Sequence, residues 1–325
     1  MNYYPKIQKP RFLACLLAGI LAWSLSSASL SLRGADAPAP SPAQGLKVFT
    51  IGHSFHASWL PGWLAQVEAE TDIKGHEQIG VSMIGGSRVI QHWMLPDDKN
   101  PAKTALMTGK VEWLTMSPML SPDDGIDNFA TLGLKYNPNL KITLQEFWLP
   151  FDRLDCFGER SYGDQAKQLR NWEDAPPPPD DPRKGNYDTS HFNIPTADQI
   201  DKLYAPYFAK MNAFVEEENK KLGKQVIYVV PVGQAVAALR RMIIEGKLPE
   251  IKQQSDLFVD KLGHPRAVIA ALSAYCHFAV IYHRNPEGLP LLPGLAKEHR
   301  SQELNLVLQK LAWDAVTQNP LSGVK

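Results

Sequence analysis

The sequence predicts an α/β fold with three layers, in which helices cover both faces of a mostly parallel five-stranded sheet. Short apolar runs, typical of strands buried on both faces, alternate along the chain with longer segments that have apolar residues at helical spacing. Glycine and polar residues follow several of these runs, and in open parallel sheets ligands bind at the strand ends. The alternation therefore predicts parallel strands joined by crossover helices.

The first segment of the chain has the pattern of an export signal. Three basic residues precede the apolar residues 12–30, and Ala35 and Ala37 supply small side chains at the two positions that a signal peptidase reads. We therefore expect residues 1–37 to be a signal peptide and a secreted or periplasmic location. Residues 38–45, rich in Pro, Ala and Ser, are expected to be a linker. A membrane anchor is the alternative that the length of the apolar stretch permits.

The charge balance argues against nucleic acid as the main partner. Removing residues 1–37 takes four basic residues and one acidic residue from 34 of each, which leaves 30 and 33 and a formal charge of −3. Nucleic-acid binding needs a clustered basic surface. No second apolar run is long enough to span a bilayer, so no membrane span is expected after signal cleavage. The remaining residues 46–325 are expected to form one domain.

The first half of this domain predicts four strands and three helices. The strand segments are short apolar runs, several of them closed by glycine or proline. The helical segments have apolar residues three and four positions apart. The strands are expected at residues 46–51, 79–84, 111–116 and 140–148, and the helices at residues 59–71, 88–94 and 126–135.

The second half begins with an interruption and then returns to the same alternation. Residues 155–195 include a run of four prolines and are expected to be a surface insertion, because proline does not join a helix or sheet interior. The next helix begins with a capping box of Thr196 and Gln199 and ends before Gly223. The remaining expected elements are a fifth strand at residues 225–230 and helices at residues 234–246, 265–282 and 302–317.

Ser54 is the first candidate for chemistry. It lies in the run Gly52-His53-Ser54-Phe55, directly after the first predicted strand and ahead of a helix. This position places the serine at the sheet edge with its backbone N–H near a helix N-terminus, where developing negative charge is stabilised. Taken alone, a serine before a helix is more often a helix cap.

The second candidate is a loop that carries Asp260 and His264 ahead of another helix. A hydroxyl nucleophile needs a base, and the base needs an acceptor that fixes its tautomer. Asp260 and His264 can supply both functions. One alternative is a surface turn in which Asp260 caps and His264 is solvated, and another is that Asp256 is the orienting acid.

Together these motifs resemble the SGNH/GDSL-like hydrolases over roughly residues 46–285. Residues 51–55 resemble the first block of that superfamily, residues 85–87 the second, and residues 260–265 the last. The resemblance implies a flavodoxin-like three-layer fold and a serine esterase that works through an acyl-enzyme and needs no cofactor.

The same resemblance assigns roles to individual residues. Ser54 would be the nucleophile, His264 the general base and Asp260 the residue that orients His264. The backbone N–H groups of Ser54 and Gly86 would stabilise the oxyanion, with the hydroxyl of Ser117 as a third donor.

The chain departs from the superfamily pattern at three places. His53 replaces the usual Asp or Asn, and Asp260 lies four residues before His264 where three is commoner. Gly263 can absorb the extra residue, because glycine permits turns that other residues resist. The third block normally ends in an asparagine, and this chain has Ser117 there. Since losing an oxyanion donor costs about two to three orders of magnitude in rate, an inactive SGNH-fold protein that binds carbohydrate or supports the cell envelope is the alternative function.

The remaining candidates concern the substrate and metal. Arg88, His92 and Gln145 follow predicted strands and are candidate substrate-binding residues. Export and the resemblance favour an ester on a small molecule or a glycan, for example an O-acetyl group on carbohydrate. No zinc or P-loop motif is present, so no metal site is expected. Cys156 and Cys276 allow either a disulfide or two buried thiols.

Overall fold

The computed structural model describes residues 44–119, 123–154, 187–248 and 250–325. The expected signal peptide, almost all of the expected linker, Cys156 and most of the expected insertion lie outside these ranges and stay predictions. In the described residues five strands form one sheet: β1 (Lys47–Gly52), β2 (Glu77–Met83), β3 (Trp113–Met116), β4 (Lys141–Gln145) and β5 (Ile227–Val230).

All four strand pairings are parallel, and the strand order is β2-β1-β3-β4-β5. β1 therefore pairs with β2 on one side and β3 on the other, and the order of the chain reverses at this point. In open parallel sheets the crevice at such a reversal, beyond the carboxyl ends of the strands, is the usual ligand site. Ser54 directly follows β1, so the topology places it at that crevice.

Helices cover both faces of the sheet, which confirms the predicted three-layer fold. α1 and α9 both pack on α7, and α2 and α3 both pack on α4. No helix among the described residues is both long and apolar enough to cross a membrane. The helices are α1 (Leu60–Ala69), α2 (Val89–Trp93), α3 (Pro101–Met107), α4 (Asp124–Tyr136), α5 (Ala197–Lys221), α6 (Val232–Ile244), α7 (Ala267–Tyr282), α8 (Pro293–Ala296) and α9 (Gln302–Gln318).

α7 lies in the centre of the packing. Every residue from Ala267 to Ile281 is buried, which is typical of a helix that is apolar on all sides. Each fully buried Ile, Leu or Val side chain contributes roughly 1.5–3 kcal/mol of hydrophobic stabilisation. Because α7 begins three residues after His264, this buried helix fixes the end of the loop that carries the imidazole.

The structure differs from the expected elements mainly at short segments. α3 and α8 were not expected, because helices of seven and four residues are too short to show a clear apolar period. α3 is instead recognisable by its start, where the Asn100 side chain accepts a hydrogen bond from Lys103 N at 3.0 Å and proline follows. β4 ends at Gln145, three residues before the expected end.

A buried ion pair fixes the chain after β4. Arg240, on α6, donates to both carboxylate oxygens of Asp152 at 2.5 and 2.6 Å, and both residues are buried. The Tyr204 hydroxyl also donates to Asp152. Phe151 and Asp152 both have positive φ angles of 57° and 52°, a strained conformation that persists only where its surroundings enforce it. The ion pair supplies that enforcement, since breaking a buried pair leaves an uncompensated charge.

Candidate active site

Ser54, His264 and Asp260 form a continuous chain of hydrogen bonds beyond the end of β1. Ser54 Oγ lies 2.9 Å from His264 Nε2, and His264 Nδ1 lies 2.7 Å from Asp260 Oδ2. The Asp260 carboxylate can only accept a hydrogen bond, so the proton of a neutral imidazole lies on Nδ1. Nε2 is then free to accept the serine proton. A hydroxyl with a base and an orienting acid is the arrangement that activates a serine nucleophile.

Asp260 is held in place by its own loop. Its Oδ1 accepts hydrogen bonds from the backbone N–H groups of Gly263 and His264, at 3.1 and 3.2 Å. Partial burial alone would raise the pKa of Asp260, but the hydrogen bonds from His264 and Gly263 outweigh it, and the pKa lies below its ordinary value. Asp256, the alternative acid, is exposed and accepts instead from Gln253 N at 3.1 Å, where it caps the short helix Gln254–Leu257.

The loop from Asp260 to His264 is closed by backbone bonds and a glycine. Val259 N donates to His264 O at 2.8 Å, and Gly263 has a φ angle of +95°, which favours glycine. The Gly263 carbonyl accepts from the Trp148 indole at 2.7 Å. This left-handed residue accommodates the four-residue spacing between the acid and the imidazole. Trp148 is fully buried and packs on Phe55, so it does not face a ligand.

Ser54 lies in a turn that is fixed from two sides. The Trp59 indole donates to Ser54 O at 2.9 Å, and Gln145 Nε2 donates to Phe55 O at 3.0 Å. Gln145 Oε1 in turn lies 2.9 Å from His277 Nε2, on α7. α1 begins only at Leu60, where Trp59 is the N-cap residue, so Ser54 is not the cap of that helix and lies one turn before it.

Gln145 was expected to contact substrate, and the structure corrects this expectation. Gln145 is fully buried, and both ends of its amide are occupied, by Phe55 O and by His277. Its position at the end of β4 places it beneath the serine turn instead of at a surface. Gln145 therefore supports the backbone next to Ser54.

The Gly85-Gly86 turn follows β2 and has a second internal support. Gly86 has a φ angle of +62°, and Ser87 N donates to Ile84 O at 3.3 Å. His92 lies between two serine hydroxyls, Ser82 Oγ at 2.8 Å and Ser87 Oγ at 2.7 Å. Burial lowers the pKa of His92 to about 4, so its imidazole is neutral at neutral pH. The expectation that His92 contacts substrate is therefore wrong. Its ring is fully buried and supports the glycine turn through its hydrogen bond with Ser87.

Arg88 is the N-cap residue of α2, where it lies near a buried carboxylate. Its Nε is 3.7 Å from the buried Asp123 carboxylate, which also accepts from the N–H groups of Val89 and Ile90. Arg88 is not among the described residues that line the cavity beside Ser54. The structure therefore gives no support to the expected substrate contact by Arg88.

A cavity of about 470 Å³ opens beside Ser54 and His264. Within the described residues, the backbone N–H groups of Ser54 and Gly86 have no hydrogen-bond acceptor, so both remain available to a ligand. The cavity wall is otherwise mostly apolar. The described residues that line it are His53, Ser54, Phe55, Gly85, Gly86, Met119, Phe147, Pro150, Leu262 and His264.

Ser117, expected as a third oxyanion donor, does not reach the cavity. It is fully buried, and its Oγ lies 3.4 Å from His53 Nε2. The structure corrects this expectation, because the imidazole of His53 lines the cavity and Ser117 does not.

His53 is the polar residue at the cavity that the sequence did not assign. Its Nδ1 accepts from Phe55 N at 3.3 Å, so the proton of the neutral ring lies on Nε2. Burial, with smaller contributions from His92 and His264, lowers the pKa of His53 to about 3. The Nε2–H faces Ser117 Oγ at 3.4 Å, a long and therefore weak hydrogen bond. A neutral imidazole N–H that gives up this contact can stabilise developing negative charge in the cavity. The only sequence signal was the replacement of the usual Asp or Asn before the serine.

The described residues contain no group of three or more side chains arranged to hold a metal ion. Cys276 is a free thiol in the buried α7 helix, and burial raises its pKa well above the ordinary range. Such a thiol is inert, because the thiolate is the reactive form.

Comparisons with known proteins give distant likenesses. No protein-family model matches this chain, and a search of curated proteins finds no match either. Among solved structures, a DUF4886 family protein from Bacteroides uniformis is 15% identical with a TM-score of 0.49, over 86% of this chain and 100% of that one.

Two further solved structures are similar to this chain. A provisionally assigned SGNH hydrolase from Slackia heliotrinireducens is 14% identical with a TM-score of 0.39, over 71% of this chain and 96% of that one. A provisionally assigned GDSL-like lipase from Parabacteroides merdae is 12% identical with a TM-score of 0.37, over 73% and 95%. At these values the likenesses assign no residue roles.

Proposed function

We propose that this protein is a serine hydrolase that cleaves an ester through an acyl-enzyme on Ser54. The observation that carries the proposal is the hydrogen-bond chain from Ser54 Oγ through the two nitrogens of His264 to Asp260, at 2.9 and 2.7 Å. The chain lies at an open cavity and at the reversal point of a parallel sheet, where bound ligands are expected.

In the first half of the reaction, Ser54 Oγ attacks the carbonyl carbon of the ester while His264 Nε2 takes the hydroxyl proton. The resulting imidazolium is stabilised by the Asp260 carboxylate at Nδ1. When the tetrahedral intermediate collapses, the bond to the alcohol oxygen breaks, and His264 gives its proton to that oxygen. The products of this half are the free alcohol and an acyl group on Ser54.

In the second half, water enters in the place of the alcohol. His264 takes a proton from this water, and the water oxygen attacks the acyl carbon. Collapse then breaks the bond to Ser54 Oγ, which recovers its proton from His264. The carboxylic acid leaves, and the enzyme returns to its starting state.

Three donors around the cavity suit the negative oxygen of both intermediates. The N–H groups of Ser54 and Gly86 are available, as the superfamily resemblance implies. We propose His53 Nε2–H as the third donor in place of Ser117. His53 lines the cavity, its tautomer places a proton on Nε2, and the contact of this N–H with Ser117 Oγ is long enough, at 3.4 Å, to be exchanged for the oxyanion. Fixed donors of this kind are worth about two to three orders of magnitude in rate each.

The cavity wall supports an ester with an apolar acyl group. The cavity of about 470 Å³ is larger than an acetyl group fills, and its apolar lining includes Phe55, Phe147, Leu262 and Met119. The proposed substrates include O-acetyl esters on carbohydrate, and the same apolar wall also accommodates longer acyl chains. The proposed location is outside the cytoplasm after cleavage following Ala37. N-terminal sequencing of the exported protein tests that location, and an intact residue 1 would contradict it.

The test of the proposed activity is the hydrolysis of p-nitrophenyl acetate and p-nitrophenyl butyrate by the protein and its Ser54→Ala variant. Ser190→Ala, at an exposed serine that does not line the cavity, is the control and should stay within about threefold of the unchanged protein. Ser54→Ala should lose about three orders of magnitude or more in kcat. Similar rates in all three proteins would contradict the proposal. They would favour the second candidate function, glycan binding without turnover, which is a candidate because the buried Ser117 cannot act as an oxyanion donor.

A further inference from the structure

A second concave surface lies next to the candidate nucleophile and base. This groove of about 380 Å³ is lined in part by Trp59, Trp63, Arg266 and Lys297. One wall continues from the serine turn, because the Trp59 indole donates to Ser54 O at 2.9 Å. The opposite wall includes Val259 and the two residues that follow His264. The groove is thus bounded by the two chain segments that carry the proposed nucleophile and its base.

The reaction chemistry fixes which part of an ester would reach this groove. The base that takes the Ser54 proton returns it to the departing alcohol oxygen, so the alcohol must leave next to His264. Arg266 lies two residues from His264, which limits their Cα separation to about 7 Å. The alcohol portion of the substrate therefore lies within reach of the groove, while the acyl portion occupies the apolar cavity.

Two indole rings line the groove. Trp59 and Trp63 are both partly exposed, and the polar edge of Trp59 is already used by Ser54 O. The exposed faces of such rings pack against flat apolar surfaces, including the C–H faces of sugar rings. Gly294 faces Trp63, and a Cβ at this position would lie 2.7 Å from Trp63 Cη2. Glycine here keeps a side chain from crowding the ring.

The charged residues of the groove favour an anionic ligand. Arg266 Nε donates to Phe258 O at 3.0 Å, which anchors the guanidinium and leaves its terminal N–H groups for another acceptor. Within the described part of the chain, no carboxylate forms an ion pair with Arg266 or Lys297. Among the described residues that line the groove, Glu298 is the one with an acidic side chain. A guanidinium presents paired donors that match a carboxylate.

We propose that this groove binds an acidic oligosaccharide, with sugar rings on the two indoles and a uronate carboxylate at Arg266 and Lys297. The esterified hydroxyl of that glycan would reach Ser54, and this part of the inference rests on the proposed esterase function. The binding itself does not require catalysis, so the two can be tested separately.

The test is calorimetric titration of the Ser54→Ala protein with trigalacturonate. This variant removes turnover and leaves the groove intact. The fully methyl-esterified trisaccharide is the neutral counterpart of the same ligand. We expect trigalacturonate to bind saturably and at least about fivefold more tightly than the neutral ester, with affinity that falls as salt rises.

Variants of the groove identify the site of binding. Added to Ser54→Ala, Arg266→Ala should weaken binding about fivefold and Trp63→Ala about tenfold. Trp63→Phe, which keeps a ring and preserves packing, should lose less than Trp63→Ala. Lys220→Ala, an exposed lysine at the end of α5, is the control and should bind like the parent.

Two results would overturn the inference. One is the absence of saturable trigalacturonate binding by a folded Ser54→Ala protein. The other is binding that Arg266→Ala and Trp63→Ala leave unchanged, which would place the ligand elsewhere. Neither result touches the proposed activity, which fails instead if Ser54→Ala still hydrolyses p-nitrophenyl esters.

Discussion

The indole nitrogen of Trp148 donates a hydrogen bond to the carbonyl of Gly263 at 2.7 Å, across 115 residues of sequence. Trp148 follows β4, and Gly263 precedes the proposed base. The bond ties the loop of Asp260 and His264 to the sheet, and the positive φ angle of Gly263 lets its carbonyl point at the indole. The position of the imidazole thus depends on the backbone conformation of one glycine.

Gly263→Ala should therefore reduce both stability and activity. A left-handed conformation costs a residue with a Cβ about 1–2 kcal/mol, and that Cβ would also lie 3.1 Å from Phe192 Cζ. We expect the free energy of unfolding in urea to fall by about this amount and kcat for p-nitrophenyl butyrate to fall about tenfold or more. Gly62→Ala, in α1 with no atom close to the added Cβ, should be neutral or stabilising by up to about 1 kcal/mol. Equal behaviour of the two variants would refute the role of Gly263.

Replacing the two candidate acids separately distinguishes their roles. Asp260→Asn should lower kcat by about three to four orders of magnitude, because an amide does not hold the required tautomer of His264 or balance its charge. Since the pKa of Asp260 is lowered, the carboxylate is ionised at and above the ordinary value of 3.8. The loss should therefore appear across the neutral pH range.

Asp256→Asn is the matched comparison for that measurement. Its carboxylate caps a short helix and touches neither Ser54 nor His264, so kcat should stay within about twofold. The asparagine amide oxygen still accepts from Gln253 N, so the free energy of unfolding should change by less than about 0.5 kcal/mol. A larger loss of kcat in Asp256→Asn than in Asp260→Asn would reverse the assignment.

His53 should prove necessary as a donor and not only as a filler of space. His53→Phe keeps a ring in the cavity floor but removes the Nε2–H, so kcat should fall about a hundredfold with little change in KM. His53→Gln keeps a side-chain N–H and should recover part of the loss. If His53→Phe stays folded and retains kcat within about threefold, the third donor is not His53.

Glu146 should make the stability of the protein decline with rising pH. Burial raises the pKa of Glu146 to about 8, and the hydrogen bond from Gln234 opposes this only in part. An unfolded glutamate has a pKa near 4.5, so between about pH 4.5 and 8 the folded chain keeps a proton that the unfolded chain has lost. Glu146 therefore contributes a decrease in the free energy of unfolding with rising pH in this window, by up to about 1.4 kcal/mol per pH unit. The lowered pKa values of His53 and His92 act in the opposite direction below about pH 6.5, so the contribution of Glu146 is isolated by comparison with a variant.

Glu146→Gln removes that titration while keeping the size and hydrogen-bonding capacity of the side chain. The stability of the variant relative to the unchanged protein should increase steadily from pH 5 to pH 8 in urea titrations. Glu216→Gln, on the exposed side of α5, is the control and should show no comparable trend. A pH-independent difference for Glu146→Gln would contradict the raised pKa.

The sequence predicted the features that depend on local pattern. β1 and β5 are short apolar runs, which predict buried strands. The start of α5 is predicted by the capping box of Thr196 and Gln199. Ser54 and His264 were identified because each lies in a recognisable block at a strand or helix boundary. The fold class followed from the same alternation.

The features that the sequence did not predict depend on contacts between distant segments. The ion pair of Arg240 with Asp152 joins residues 88 apart, and neither residue has a local signal of burial. The same holds for His53 and Ser117, which meet across 64 residues of sequence, His53 at the cavity and Ser117 fully buried. Arg88, His92 and Gln145 lie near strand ends as expected, but being near a strand end does not say whether a side chain points up into the crevice or down into the core.

The role of Ser54 as nucleophile is tested most directly by covalent labelling of the protein with a fluorophosphonate, followed by mass spectrometry of the intact chain and its peptides. Such a reagent is attacked by an activated serine and mimics the tetrahedral intermediate. A Ser54 nucleophile activated by His264 should give one adduct per chain, located at Ser54, absent in Ser54→Ala and formed far more slowly in His264→Ala. An unlabelled protein, or an adduct that persists at another serine in Ser54→Ala, would contradict this role.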